Sequence, residues 1–258
     1  MLFHGAPGSR LFTPPVDIPR RLGIRLVTFD RPGFGASDRR EGRTVIDTAG
    51  DVALLADELG VERFAVVGVS AGGAHALGCA VTLGERVSAV AVACMPGPLD
   101  EVPGAWDALD RRQRPAAEVA REDPKRAAGG VVRYSERWLD DPTGFLGGGT
   151  PDDRALLAEP ATGAMLAADV TEALRPGAGG IADDLVALWM PWGFRIADLR
   201  PGIRLWHGAQ DTRAEPDFRS LAATLPDCEA QVWPDVGHLG VLRHWREVLE
   251  SVAPSFTE

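Results

Sequence analysis

The sequence predicts an α/β protein: a mostly parallel sheet flanked by helices, with a helical block inserted into it. Three observations point to this class. Short β-rich apolar runs alternate with amphipathic helical segments along much of the chain. Residues 96–191 break that rhythm, carrying helical patterns and no strand run. At 258 residues the chain is long for one domain and short for two, which fits one core with an insertion. The boundaries that follow are a core of residues 1–95 and 192–258 and a helical cap of residues 96–191.

Five runs read as buried strands: 24-IRLVTFD-30, 64-FAVVGVS-70, 86-RVSAVAVACM-95, 203-IRLWHG-208 and 229-EAQVWP-234. Each is short, rich in β-formers and bounded by Gly, Pro or Asp. Between the first two, 44-TVIDTAGDVALLADELG-60 puts Val45, Val52, Leu55 and Leu59 on one helical face and ends on glycine. A second helix runs over 71–83, straight out of Ser70, and a third closes the chain over 239–253. Strands and helices in this order favour a parallel sheet covered on both faces. The middle segment is punctuated by Gly129-Gly130, 147-GGG-149 and 176-PGAGG-180. These read either as joints that permit movement or as sites of rigid packing.

Composition narrows the function. A net charge of −10 argues against nucleic acid or an anionic membrane surface as a partner. No apolar run reaches the ~20 residues of a membrane span, and the N-terminus has no secretory pattern, so a cytoplasmic location is expected. Cys79, Cys94 and Cys228 are too few and too scattered for a disulfide framework or a zinc site. No pattern for a metal, nucleotide or other cofactor is present, so none is expected.

The stretch 68-GVSAGG-73 carries the chemistry. Chance would supply roughly 0.1 GxSxG matches in a chain of this composition, so the pattern alone is weak. Its position strengthens it: a buried strand ends on Ser70 and a helix starts directly after. That is the sharp turn needed to push a serine hydroxyl clear of a sheet, and side chains at 68 or 72 would collide across it. A serine needs a base to take its proton. Of the five histidines, His4 and His207 read as structural groups at strand ends, and His75 and His244 as helix residues explained by packing or solvent. His238 instead follows the last strand on a loop, from which it can reach over the sheet edge. Asp211, just past the strand 203–208, is the candidate acid that orients it. Glu215, Asp217 and Asp235 compete nearby, and Asp100 is a further alternative.

Taken together, 4-HGAPGS-9, 30-DRPGFGASD-38, 68-GVSAGG-73, 207-HGAQD-211 and 237-GH-238 resemble the α/β-hydrolase superfamily, especially small bacterial serine hydrolases with a helical cap. The resemblance runs over nearly the whole chain, and its order Ser70, Asp211, His238 is the family's order. It implies that the backbone N–H groups of Ala6 and Ala71 form an oxyanion hole. It also implies hydrolysis of a small-molecule ester, thioester or lactone through an acyl-enzyme. Relatives use the same fold for C–C cleavage, lyase or cyclase reactions, and a hydrolase-like receptor or regulator is the reading from another class. Trp189, Trp192 and Phe194 either line an apolar acyl site or pack cap onto core. Arg133 and Arg137 either meet an anionic substrate or form a solvated helix face.

One departure stands out. Family members carry an antiparallel hairpin before the strand that ends in HG, whereas only Met1-Leu2-Phe3 precede His4 here. The run 24–30 is then expected at a sheet edge whose unpaired backbone invites a second copy, giving a homodimer, unless the chain is a shortened form.

Overall fold

The structure, a computed structural model, describes residues 1–147, 149–200, 202–211 and 215–253, without side chains for 215–217. Five parallel strands form one sheet in the order of the chain: β1 (Leu2–Phe3), β2 (Phe64–Val69), β3 (Val87–Ala93), β4 (Ile203–Gly208) and β5 (Cys228–Trp233). All their carboxyl ends therefore lie on one edge. In open α/β sheets that edge is where ligands bind.

The pleat sorts the side chains of β2 to two faces. Val66 packs with Phe3, Val92 and Leu205 on one face, beneath α2 (Thr48–Glu58) and α3 (Ala71–Leu83). Val67 and Val69 join Leu2, Trp206 and Trp233 on the other, covered by α1 (Asp17–Arg21) and α12 (Val241–Glu250). In α2, Val52 and Ala56 are buried while Leu55 and Leu59 are half-exposed, so the apolar face is rotated from the one the spacing predicts. Val45 is buried too, but it precedes the helix.

One predicted strand is largely missing. Of residues 24–30 only Thr28 pairs, through a single parallel bridge to Leu2. Its neighbour β1 spans only Leu2–Phe3, and Phe3 pairs with β2 alone.

Between β3 and β4 the described residues hold only helices and turns. These are α4 (Ala105–Ala108), α5 (Arg114–Glu122), α6 (Pro124–Ser135), α7 (Arg137–Asp140), α8 (Pro151–Ala158), α9 (Pro160–Ala173) and α10 (Gly179–Trp189). The last helix of the β4–β5 connection is α11 (Glu215–Thr224). The apolar cluster under α2 and α3 continues through Ala117, Val131, Val170 and Leu188, so the inserted helices share one core with the sheet. Gly179 and Gly180 are packing sites: a Cβ on Gly179 would lie 2.6 Å from Arg39 Nε, and one on Gly180 would strike the Gly33 carbonyl. Gly148 lies outside the described residues.

Two glycines give opposite expectations. A Cβ on Gly72 would collide with the backbone carbonyls of Phe3 and His4, which cannot retreat without breaking β1. Gly72→Ala should cost about 3 kcal/mol or more. Gly50, on the exposed side of α2 with nothing within 4 Å, should gain up to about 1 kcal/mol when changed to Ala. Denaturant midpoints of the two variants check both signs.

Candidate active site

The site grows from the end of β2. Ser70 has φ 53° and ψ −128°, left-handed territory that a non-glycine residue enters only when its surroundings force it. Its N–H donates to Ala93 O at 2.9 Å, and its carbonyl accepts from Gly73 N–H at 2.9 Å. The side chain is thus held at the mouth of α3 and partly exposed. The Ala71 N–H is among the first-turn donors that no carbonyl of the helix can satisfy, and the helix dipole favours negative charge there.

Two strands further along, the β4 and β5 loops meet. His238 Nδ1 lies 2.6 Å from Asp211 Oδ2, with Asp211 buried and the imidazole partly exposed. A buried carboxylate on Nδ1 leaves Nε2 as the ring's free nitrogen, the tautomer a general base requires. Among the described residues His238 bonds Asp211 and not Ser70. Of the competing acids, two are described. Asp100 pairs with Arg121 at 2.6 Å, Asp235 is exposed, and the side chains of Glu215 and Asp217 lie outside the described residues. Cys94 ends β3 between these strands, and its sulfur with Asp211 and His238 forms a group whose ligand atoms lie within 4.8 Å of one another.

The other histidines have structural partners. His207 stacks on Phe218, His244 stacks on Trp233 and faces Glu247, and His75 is buried against Thr48 and Val45. Burial above all, with Arg31 adding to it, holds the His4 pKa well below its usual range. Ala6 follows Gly5, whose backbone runs beside Ser70: a Cβ built on Gly5 would lie 3.5 Å from Ser70 Cβ and 4.0 Å from Ser70 Oγ.

The aromatic trio is set into the core. Trp192 is buried, bonds Leu188 O, and packs at 5.9 Å from the Phe194 ring. Phe194 lies against Gly78 of α3, eight residues past Ser70 and ~12 Å along the helix. Trp189 is buried in the same cluster. Trp189 and Trp192 thus lie within the core cluster, and Phe194 packs against it partly buried. The Arg137 guanidinium lies 3.5 Å from the Tyr134 ring centroid, so a surface cation–π stack occupies that side chain. Two open hollows of about 470 and 390 Å³ border neither Ser70 nor His238.

Three buried carboxylates from the inserted helices reach the loops of this site. Asp153 of α8 accepts from Leu239 N–H at 2.8 Å, beside His238. Asp169 of α9 accepts from the N–H and hydroxyl of Ser9, at 2.7 and 2.8 Å. Asp184 of α10 pairs with Arg31 and Arg43, both at 2.5 Å. Burial alone would raise the Asp184 pKa, but the two guanidiniums and His75 hold it well below the carboxylate range. In sequence these acids resemble ordinary helix-surface charges; only the apolar setting of Asp183-Asp184 in 179-GGIADDLVALW-189 hints at burial.

With this geometry in place, comparison with known proteins is informative. The profile of the alpha/beta hydrolase family matches residues 1–251. The chain belongs to the alpha/beta hydrolase family. A Mycobacterium tuberculosis protein carrying the name non-heme bromoperoxidase BpoC is 36% identical over 98 residues. That match covers 37% of each protein, so the chain spans little more than a third of this curated relative's length. Among solved structures, a hydrolase from Pseudomonas aeruginosa aligns with TM-score 0.72 and 21% identity, over 98% of this chain and 89% of the other. The enol-lactonase of Burkholderia xenovorans aligns with TM-score 0.67 and 20% identity, over 100% of this chain and 90% of the other. At such identities these likenesses show the fold. No described helix of this alpha/beta hydrolase is long and apolar enough to cross a membrane.

Asp169 makes a pH test possible. Burial raises its carboxyl from 3.8 to about 7, against the opposing pull of the Ser9 bonds. Between those values the folded protein keeps a proton that the unfolded chain has lost. Stability therefore falls as pH rises, by up to ~1.4 kcal/mol per unit. Asp169→Asn removes that slope. Urea titrations at pH 5 and pH 8 should show the variant gaining on wild type by ~2 kcal/mol; a difference independent of pH would contradict the assignment.

Proposed function

We propose that this alpha/beta hydrolase is a serine hydrolase cleaving a small-molecule ester, thioester or lactone through an acyl-enzyme. The observation that carries the reading is the 2.6 Å bond between His238 and buried Asp211, on the edge where the strained Ser70 turn projects. Ser70 Oγ attacks the substrate carbonyl as His238 Nε2 takes its proton, and Asp211 stabilises the imidazolium. The N–H groups of Ala6 and Ala71 receive the negative oxygen, aided by the dipole of α3. His238 then protonates the leaving alcohol or thiol. Water attacks the acyl-Ser70 carbonyl with His238 again as base, which releases the acid and restores the serine. In this reading residues 96–191 form the cap that shapes the acyl and leaving-group pockets. The lactonase named among the structural neighbours fits the lactone member of the substrate class.

A fluorophosphonate tests the reading by intact mass. Wild type should gain one adduct per chain and Ser70→Ala none. His238→Ala should react at least ~100-fold more slowly. Equal labelling of folded Ser70→Ala, or an undiminished rate in His238→Ala, would refute it.

A further inference from the structure

A buried arginine is held where it grips one particular peptide. Arg31 Nη2 donates to Gly5 O at 2.9 Å and Nη1 donates to His4 O at 2.5 Å, while Arg31 itself is fully buried. Gly5 C=O and Ala6 N–H belong to the same planar trans peptide and point in opposite directions. Fixing the oxygen therefore fixes the direction of the N–H. We propose that Arg31, anchored by Asp184, is a positioning residue that aims the Ala6 N–H at the oxyanion beside Ser70. The inference rests on Ala6 being an oxyanion donor, as in the function proposed above.

The surrounding bonds are consistent with that role. Gly5 O also lies 2.7 Å from His4 Nδ1, and His4 Nε2 lies 3.2 Å from Arg31 N. Since Arg31 N–H can only donate, Nε2 accepts and Nδ1 carries the ring proton. His4 is then a neutral donor, which is the form its burial favours. Two donors on one carbonyl oxygen, one of them charged, polarise the peptide and strengthen its N–H. The peptide is also in the right place, since a Cβ on Gly5 would sit 3.5 Å from Ser70 Cβ.

The anchor lies far away in sequence. Asp184 Oδ2 takes Arg31 Nη2, and Asp184 Oδ1 takes Arg43 Nη2. Its helix, α10, is pinned to the loop that carries Arg31 by the forked Arg39–Asp183 pair at 2.8 and 3.0 Å and by the Gly33–Gly180 approach. Docking of α10 thus sets the guanidinium, and the guanidinium sets the peptide. A cluster that served only to staple α10 to the core would affect stability and leave turnover at each intact site unchanged.

The test uses the full chain with Arg31→Lys, Asp184→Asn and, as a control for plain destabilisation, Val248→Ala in the buried face of α12. Turnover of p-nitrophenyl acetate is measured per fluorophosphonate-titrated site, together with inhibition by a trifluoromethyl ketone, which places an oxyanion beside Ser70. Positioning predicts that kcat per titrated site falls on the order of 10- to 100-fold in both site variants, with KM within about 2-fold. Ketone affinity should fall in parallel. Val248→Ala should lower Tm without moving either readout. Unchanged kcat per site and ketone affinity in a folded Arg31→Lys or Asp184→Asn would overturn the inference alone. A wild type that neither turns over nor labels at Ser70 would overturn this inference and the hydrolase reading together.

Discussion

Everything in this site depends on a crossing that leaves no room for side chains. Where β2 turns into α3, a Cβ on Gly68 would lie 2.6 Å from Gly72 O and Gly73 Cα, and one on Gly73 would lie 2.6 Å from Met95 Cβ. A Cβ on Gly72 would meet the carbonyls that end β1. The ends of three strands thus converge on the first turn of one helix, and glycine is what lets them approach. Ser70 is carried into a strained conformation at the point of closest approach, a state costing on the order of 1–3 kcal/mol that the surrounding sheet must hold. The same closeness brings the Gly5–Ala6 peptide alongside Ser70. The strained Ser70 turn and the Gly5–Ala6 peptide beside it are products of one steric constraint.

The loops around that crossing are held from above. Asp153, Asp169 and Asp184 come from three successive helices of the inserted segment, and each is buried. A carboxyl group moved out of water, ionised or not, is costly unless its oxygens meet hydrogen-bond partners. Here the donors are the backbone beside His238, the N–H and hydroxyl of Ser9, and the Arg31–Arg43 pair. Moving one of these helices away from the sheet would strip donors from a buried carboxyl group and free a loop of the candidate site in one step. That favours inserted helices and a sheet that behave as one packed unit.

Much of this was legible in the sequence, for identifiable reasons. Ser70, Asp211 and His238 each follow an apolar strand run, and parallel strands bring such positions to one edge whatever the details of packing. The glycines at 68 and 72 announced a steric demand that the structure locates. The failures also have physical causes. The run 24–30 has strand composition, but strand pairing depends on partners distant in sequence, and of this run only Thr28 meets one. The apolar face of α2 is set by its docking on α3, so Ala56 is buried and Leu55 only half so. Arg31 and the three aspartates were missed because charged residues are usually solvated, and their burial depends on partners as far as 160 residues away.

The most direct measurement is a crystal structure of the protein after reaction with a small alkyl fluorophosphonate. The phosphonyl group, tetrahedral and negatively polarised, occupies the place of the acyl transition state. The account predicts phosphorus bonded to Ser70 Oγ, its oxygen accepting from both Ala6 and Ala71 N–H groups at ~2.7–3.1 Å, and His238 Nε2 facing the leaving-group position. An adduct on another residue, or a phosphonyl oxygen turned away from both amides, would contradict it.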